Sequence, residues 1–344
     1  MIRVTPSRLI AALCLGAVLS AVPTSPALAQ ASVVKLATLV PEGSVWDKSM
    51  RDMGAEWSTA TQGRVVLRVY ASGVAGDEPD LVRKMRLGTL QAAAITTSGL
   101  AEIDPAFQMF NIPMFFDSYP ELDAVLGKIT PILKQRLEAK GFVLLSWGHG
   151  GWVYCFTKTP ARTIDDLKKT KMFAWAGDDA MITRWKAAGF NPVPLAATDI
   201  LTGLQTGMID SYATTPLLGL TLQWYKHTPY MVSVGLAPLV GGLVITKQAW
   251  AKFSDADRAS ISAACRKLES KLKAGVPKQD TTAIGEMQKR GLTVVKVAPA
   301  DVEKYRATAQ SFATQMRGTV VPADFLDTAT RERDAFRQAR GVKR

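Results

Sequence analysis

Val33-Val34-Lys35-Leu36-Ala37-Thr38-Leu39-Val40 opens the stretch that decides the fold, residues 33–96. The octet is a short apolar run suited to a buried strand. Ser44-x-x-Asp47 then has the form of a capping box, opening a helix through Trp46, Met50, Met53 and Trp57. Residues 64–70 alternate, with Val65, Leu67 and Val69 on one face, as a strand does. Pro79 offers an N1 proline to a short helix over 81–87, Gly88 stops it, and 90–96 is strand-like again. The order β-α-β-α-β is that of an α/β domain with a largely parallel sheet.

The same rhythm restarts downstream. Residues 142–147 read as a strand that breaks at Gly148-His149-Gly150-Gly151, followed by a short helix at Asp165-Asp166-Leu167-Lys168. A strand over 171–175, a helix over 178–188, a helix capped by Thr198 and ending near Gly207, and a strand over 208–212 complete the second round. Leu87-Gly88-Thr89-Leu90-Gln91-Ala92 is echoed 119 residues later by Thr206-Gly207-Met208-Ile209-Asp210-Ser211. Each is a helix end, a glycine and a strand start, which suggests two lobes built alike. The last third turns helical: Ser254-x-x-Asp257 opens a run with Ile261, Cys265, Leu268 and Leu272, a strand follows over 291–297, and 299–316 and 322–340 are helical.

Upstream, Arg3 and Arg8 precede a run of fourteen largely apolar residues, 9–22, and small residues lead to Ala27-Leu28-Ala29. The run is too short to cross a bilayer comfortably and is flanked like a secretory signal peptide, so residues 1–29 are expected to be removed on export. Of 344 residues 47% are hydrophobic and 21% charged, a globular balance that excludes disordered and disulfide-scaffold classes, and the length favours two lobes over one core. The formal charge of +12 becomes +10 after cleavage. Its cations are dispersed, and the densest cluster, 331–344, is interrupted by Glu332 and Asp334 as in a solvated terminal helix; nucleic acid is not an expected partner. Cys155 and Cys265 lie in separate apolar runs and are expected to be separately buried thiols.

Catalytic signatures are absent: the sequence has no G-x-S-x-G, Walker A, G-x-G-x-x-G or H-E-x-x-H pattern. Its two histidines, His149 and His227, have no metal-ligand neighbours at useful spacing, so no catalytic residue, metal or cofactor is expected. An exported two-lobed α/β chain without catalytic machinery points to ligand capture between lobes.

Six stretches in order resemble the substrate-binding proteins of tripartite ATP-independent periplasmic (TRAP) transporters, the DctP family. They are Val40-Pro41-Glu42-Gly43-Ser44-Val45-Trp46, Gly63-Arg64-Val65, residues 78–88 with Arg86-Leu87-Gly88, Ile112-Pro113-Met114-Phe115-Phe116, Asp166-Leu167-Lys168 with Lys171-Met172-Phe173, and Leu204-Gln205-Thr206-Gly207-Met208-Ile209-Asp210. The resemblance implies a periplasmic, two-lobed clamshell that closes over a small organic solute and delivers it to membrane permease subunits. It also implies a long helix spanning both lobes, for which 249–273 is the candidate, and a monomer. By analogy, lobe one is 31–149 plus about 241–277, and lobe two is about 150–240 plus 278–344. A ligand-sensing periplasmic protein that presents its bound form to a membrane receptor kinase is the alternative, since both would use the same clamshell.

Typical members carry an arginine that forks onto the ligand carboxylate, in the strand after the Asp-Leu-Lys stretch. Here the corresponding position is Phe173, and a companion arginine of the preceding strand is replaced by Trp152. The expected ligand is therefore less carboxylate-dependent than the C4-dicarboxylates and sialic acids of typical members, unless Arg184 or Lys171 reaches the pocket. The candidate ligand-binding residues are Trp46 at the first helix start, Thr97, Ser98 and Gly99 at a strand end, Trp152, Phe173 and Trp175 on the second lobe's wall, and Tyr212, Thr214 and Thr215 after the Gly207 turn.

Overall fold

The first third folds in the expected order: β1 (Ser32–Thr38), α1 (Val45–Ala60), β2 (Val65–Tyr70), α2 (Glu78–Arg86), β3 (Ala92–Thr96) and a short α3 (Thr97–Ala101). In this computed structural model residues 31–341 are described; the signal-peptide reading of 1–29 lies outside them. Ser44 Oγ accepts from Asp47 N at 3.3 Å and caps α1, but the box is not closed, because Asp47 Oδ2 accepts at 2.9 Å from Gly43 N instead of from Ser44 N. α4 (Tyr119–Ala139) leads into β4 (Phe142–Thr157), α5 (Ile164–Lys168), β5 (Lys171–Trp175), α6 (Asp179–Ala187) and β6 (Asn191–Leu195). There follow α7 (Ile200–Thr206), β7 (Ser211–Thr214), α8 (Pro216–Thr221), β8 (Tyr230–Thr246), α9 (Lys247–Trp250), α10 (Asp255–Gln288), β9 (Thr293–Val295), α11 (Pro299–Met316) and α12 (Ala323–Ala339).

All nine strands form one sheet in the order β2-β1-β3-β8-β4-β7-β5-β6, with β9 beside β8. The outer triplets are parallel, and β8 and β4 between them are antiparallel to each other and to their neighbours β3 and β7. β3 docks on the Gly241–Ile245 end of this central pair, and β7 on its Tyr154–Thr157 end. Between those ends Gly148 to Val153 faces Ala237 to Gly241 as a two-stranded ribbon, with a register shift between His149 and Gly151. The echo in the sequence is real in three dimensions. Gly88 (φ 76°) and Gly207 (φ 72°) both close a helix in the left-handed region, and the strands that follow flank the two ends of the ribbon.

Four expectations need correction. The glycine run does not break β4; a Cβ on Gly150 would lie 2.6 Å from Leu239, and one on Gly241 of the facing strand 2.6 Å from the Ile95 carbonyl oxygen, so small residues let the ribbon cross. The long helix is α10, displaced from 249–273, because Ser254 caps it by accepting from Asp257 N at 3.1 Å. Thr198 caps nothing: α7 begins after a 3-10 turn and no side chain caps it. Finally, the cationic end of α12 is not simply solvated. Phe325, Leu326 and Ala329 enter the core of α4 with Leu122 and Val125, and buried Arg337 pairs with Glu121 and with Asp117 at 3.1 Å.

Cys155 and Cys265 are separately buried and unpaired, as expected, and burial pushes both thiols up to about 12.

Candidate functional site

The Ala94 to Ser98 end of β3 and α3, the glycine ribbon, β5, and the faces of α6 and α11 enclose one large cavity of about 640 Å³. That volume falls within the range of small-molecule sites, ~300–1,000 Å³.

Six of the ten expected residues meet there: Trp46, Thr97, Ser98, Phe173, Trp175 and Thr214. Trp46 is held by its indole, which donates to the His149 carbonyl at 3.0 Å and so ties α1 to the ribbon. Thr97 Oγ1 donates to Asn111 Oδ1 at 3.1 Å, and Asn111 Nδ2 donates to Gln108 Oε1 at 2.7 Å and to Ser98 Oγ at 3.4 Å. This chain of amides and hydroxyls forms the polar pole of the cavity. Phe173 and Trp175 lie two apart on a strand that pairs with β6 without a register shift, and their rings meet edge-on with centroids 5.8 Å apart.

The other four do not line this cavity. Trp152 turns away: its ring covers Gly235, where a Cβ would lie 2.6 Å from Nε1, and meets Tyr119 edge-on at 5.2 Å. Its backbone N donates to Asp280 Oδ2 at 2.9 Å instead. Tyr212 is fully buried, stacked on Phe156 at 5.4 Å with its hydroxyl accepting from Thr228. Thr215 is spent as the cap of α8, accepting from Leu218 N. Gly99 belongs behind the wall: its N donates to Glu78 Oε2 at 2.8 Å, and a Cβ there would lie 2.7 Å from that oxygen.

Sequence reasoning missed the ionisable part of the lining. Glu78 is buried at the start of α2, where its carboxyl accepts from Thr96 N at 2.8 Å, Thr96 Oγ1 at 2.7 Å and Gly99 N. Burial outweighs those three donors and pushes it up to about 7. Asp178, also in the lining, caps α6 through Met181 N at 3.1 Å and accepts from Gln108 Nε2 at 3.0 Å. His149 is pushed down to about 4 by burial, so it is neutral at pH 7. Asp178 could have been found from its position before a helical run; nothing local marks Asn111 or Glu78 as lining a cavity.

Among the described residues, no lysine or arginine lines the cavity. Arg184 donates to the Ala180 carbonyl at 2.7 Å and Thr319 Oγ1 at 2.8 Å on the exposed side of α6, and Lys171 binds the Gly207 carbonyl. The remaining wall is apolar and rich in rings, including Phe110, Trp147, Trp185 and Trp224.

The family model for bacterial extracellular solute-binding protein, family 7 (DctP), matches residues 36–318. A solute-binding protein of Roseobacter denitrificans is 26% identical over 280 residues, covering 81% of this chain and 86% of that protein. The fold is shared with the sugar acid binding protein of Advenella mimigardefordensis in complex with galactonate (TM-score 0.83, 17% identity, 89% of this chain and 98% of that one). It is shared also with a Bordetella pertussis extracytoplasmic solute receptor binding pyroglutamic acid (TM-score 0.81, 21% identity, 88% and 100%). With the match running from the first strand to the end of α11, the chain belongs to family 7 of the bacterial extracellular solute-binding proteins, the periplasmic DctP receptors of TRAP transporters, which bind ligands and are not enzymes.

Proposed function

We propose that the protein captures a small, largely apolar organic solute between its two lobes and delivers it to the membrane permease subunits of a TRAP transporter. Recognition does not rest on an arginine–carboxylate pair. The observation that carries this reading is the lining: the position expected for a clamping arginine is Phe173, no cation takes its place among the described lining residues, and the carboxyl groups there are Glu78 and Asp178. The relatives in complex with galactonate and pyroglutamic acid hold carboxylic acids. Placing such a carboxylate here unpaired would cost several kcal/mol, and Asp178 would repel it further. Apolar and aromatic surface would instead gain roughly 25 cal/mol per Å² buried.

The lobes follow the sheet. One comprises about 31–149 and 241–277 with α12, the other about 150–240 with α11, joined through the ribbon and α10. Asp77 Oδ2 accepting from Ala197 N at 2.9 Å, together with Gln108 on Asp178, links their lips.

A thermal-shift screen of matched acids, amides and aromatic compounds tests the reading. Neutral compounds should stabilise the protein more than acids of equal size, and Phe173→Ala should weaken them. Strong stabilisation by a simple dicarboxylate, undiminished in Phe173→Ala, would overturn it.

A further inference from the structure

The cavity does more than separate two lips. An arm of it runs into the second lobe, between the sheet and α11, where Ile164, Leu167, Met172, Phe190 and Phe312 line it. These side chains belong to the second lobe's own core, and a core is ordinarily filled to crystal density. α11 lends the arm one face, Tyr305, Thr308, Ala309 and Phe312, spaced three and four residues apart as a helix requires.

Tyr305 is the informative member. It is 4% exposed, it lines the arm, and its hydroxyl has no hydrogen-bond partner among the described residues. Two other buried side-chain atoms share that condition, Ser49 Oγ and Trp57 Nε1, and both sit in α1, away from the cavity. Buried hydroxyls are nearly always paired, and leaving one unpaired is costly. Thr308, the other hydroxyl of the arm, already donates to the Lys304 carbonyl, so Tyr305 is the orphan donor there, a place for an acceptor that comes from outside the chain.

We infer that the arm is a ligand subsite for the hydrocarbon body of a neutral amphiphile: its polar head lies among Thr97, Ser98 and Asn111, and an acceptor oxygen near its far end meets the Tyr305 hydroxyl. The head group rests on the cation-free reading of the cleft given above; the arm and its donor go beyond it. A keto, ester or ether oxygen satisfies the donor, and a linear or aryl chain suits the walls.

Calorimetric titration with unbranched primary amides from butanamide to decanamide tests this. Each added methylene that enters the arm should tighten binding about fourfold until the arm is full. Ala309→Trp should fill the arm and remove that dependence while butanamide still binds. Because a tryptophan can unsettle the core, Tyr305→Phe provides the second measurement. It should weaken 8-oxononanamide about three- to tenfold more than nonanamide, and the ligand-free variant should melt no lower than the parent, since an unpaired hydroxyl has gone. Affinity that is flat with chain length among amides that bind, or equal losses for the two nonanamides, overturns the arm and leaves the cleft reading standing. Failure of every neutral amide to bind overturns both.

Discussion

Gly151→Ala should be the most damaging single methyl group that can be added to the ribbon. Gly151 has φ 110°, a backbone conformation that L side chains rarely adopt, and a Cβ there would lie 2.0 Å from Asp280 Oδ2 and 2.7 Å from its Cγ. Asp280 cannot yield freely. Its Oδ2 accepts from Trp152 N and its Oδ1 from Leu217 N, both at 2.9 Å, so one carboxylate on α10 holds the ribbon and the start of α8 together. The strained backbone costs about 1–3 kcal/mol. Displacing the carboxylate from at least one backbone N–H adds about 1.5–3 kcal/mol. Urea unfolding should therefore show a loss of about 3–6 kcal/mol with little change in the slope. Asp280→Ala removes the obstructing oxygens, so Gly151→Ala/Asp280→Ala should lose less than the sum of the single variants, by about 2 kcal/mol or more. A loss below about 1 kcal/mol for Gly151→Ala, or strict additivity in the double variant, would refute the claim that this glycine exists to admit the carboxylate.

Two further outcomes are expected. Glu78 and Asp280 are pushed up by burial to about 7 and about 6, so the folded protein holds their protons more tightly than the unfolded chain does. Their contribution to stability is full below about pH 4 and is lost as pH rises to 7, about 3 kcal/mol for each; Glu78→Gln should flatten its share of that fall in a pH series of unfolding curves. Cys155 and Cys265, buried and pushed up to about 12, should resist a disulfide reagent at pH 8 until the protein is unfolded, and reducing agent should leave the melting temperature unchanged. Rapid labelling of the native protein, or a reductant-sensitive melt, would contradict the buried-thiol account.

Much of this architecture was legible because local signals and tertiary packing agree. Residues 171–175 and 299–316 were read at their observed bounds, and Thr163 with Asp166 forms a capping box where the paired acids had suggested a helix start. The ribbon was illegible for the opposite reason. Gly148, Gly150 and Gly151 read as a break, yet β4 runs 16 residues through them, and its partner β8 runs 17 residues through Gly235, Pro238, Gly241 and Gly242. A strand crossing between lobes needs bulges and close backbone approach more than it needs propensity. At the site, Phe173 was named from the position of the family's arginine, and Trp175, two residues on along a regular strand, lines the cavity beside it. Trp152 and Tyr212 were misplaced because large aromatic rings fill cores and cavities equally well, and only their neighbours, Gly235 and Phe156, decide which. Asn111 and Glu78 depend on contacts 13 to 21 residues away and leave no local trace.

The way α10 and α12 return to the first lobe sets the order in which this chain can fold as it is made. Met53 on α1 waits for Cys265, whose sulfur lies 3.7 Å from its own, and β3 waits for residues 241–245 of β8. Buried Glu121 on α4 receives its counter-charge from Arg337, 216 positions later. α1 covers one face of the early sheet and α2 to α4 the other, but both layers gain their last partners only when α10 and α12 return, and such long closures are slow. The arrival of α12 then completes the core around α4 in a late step.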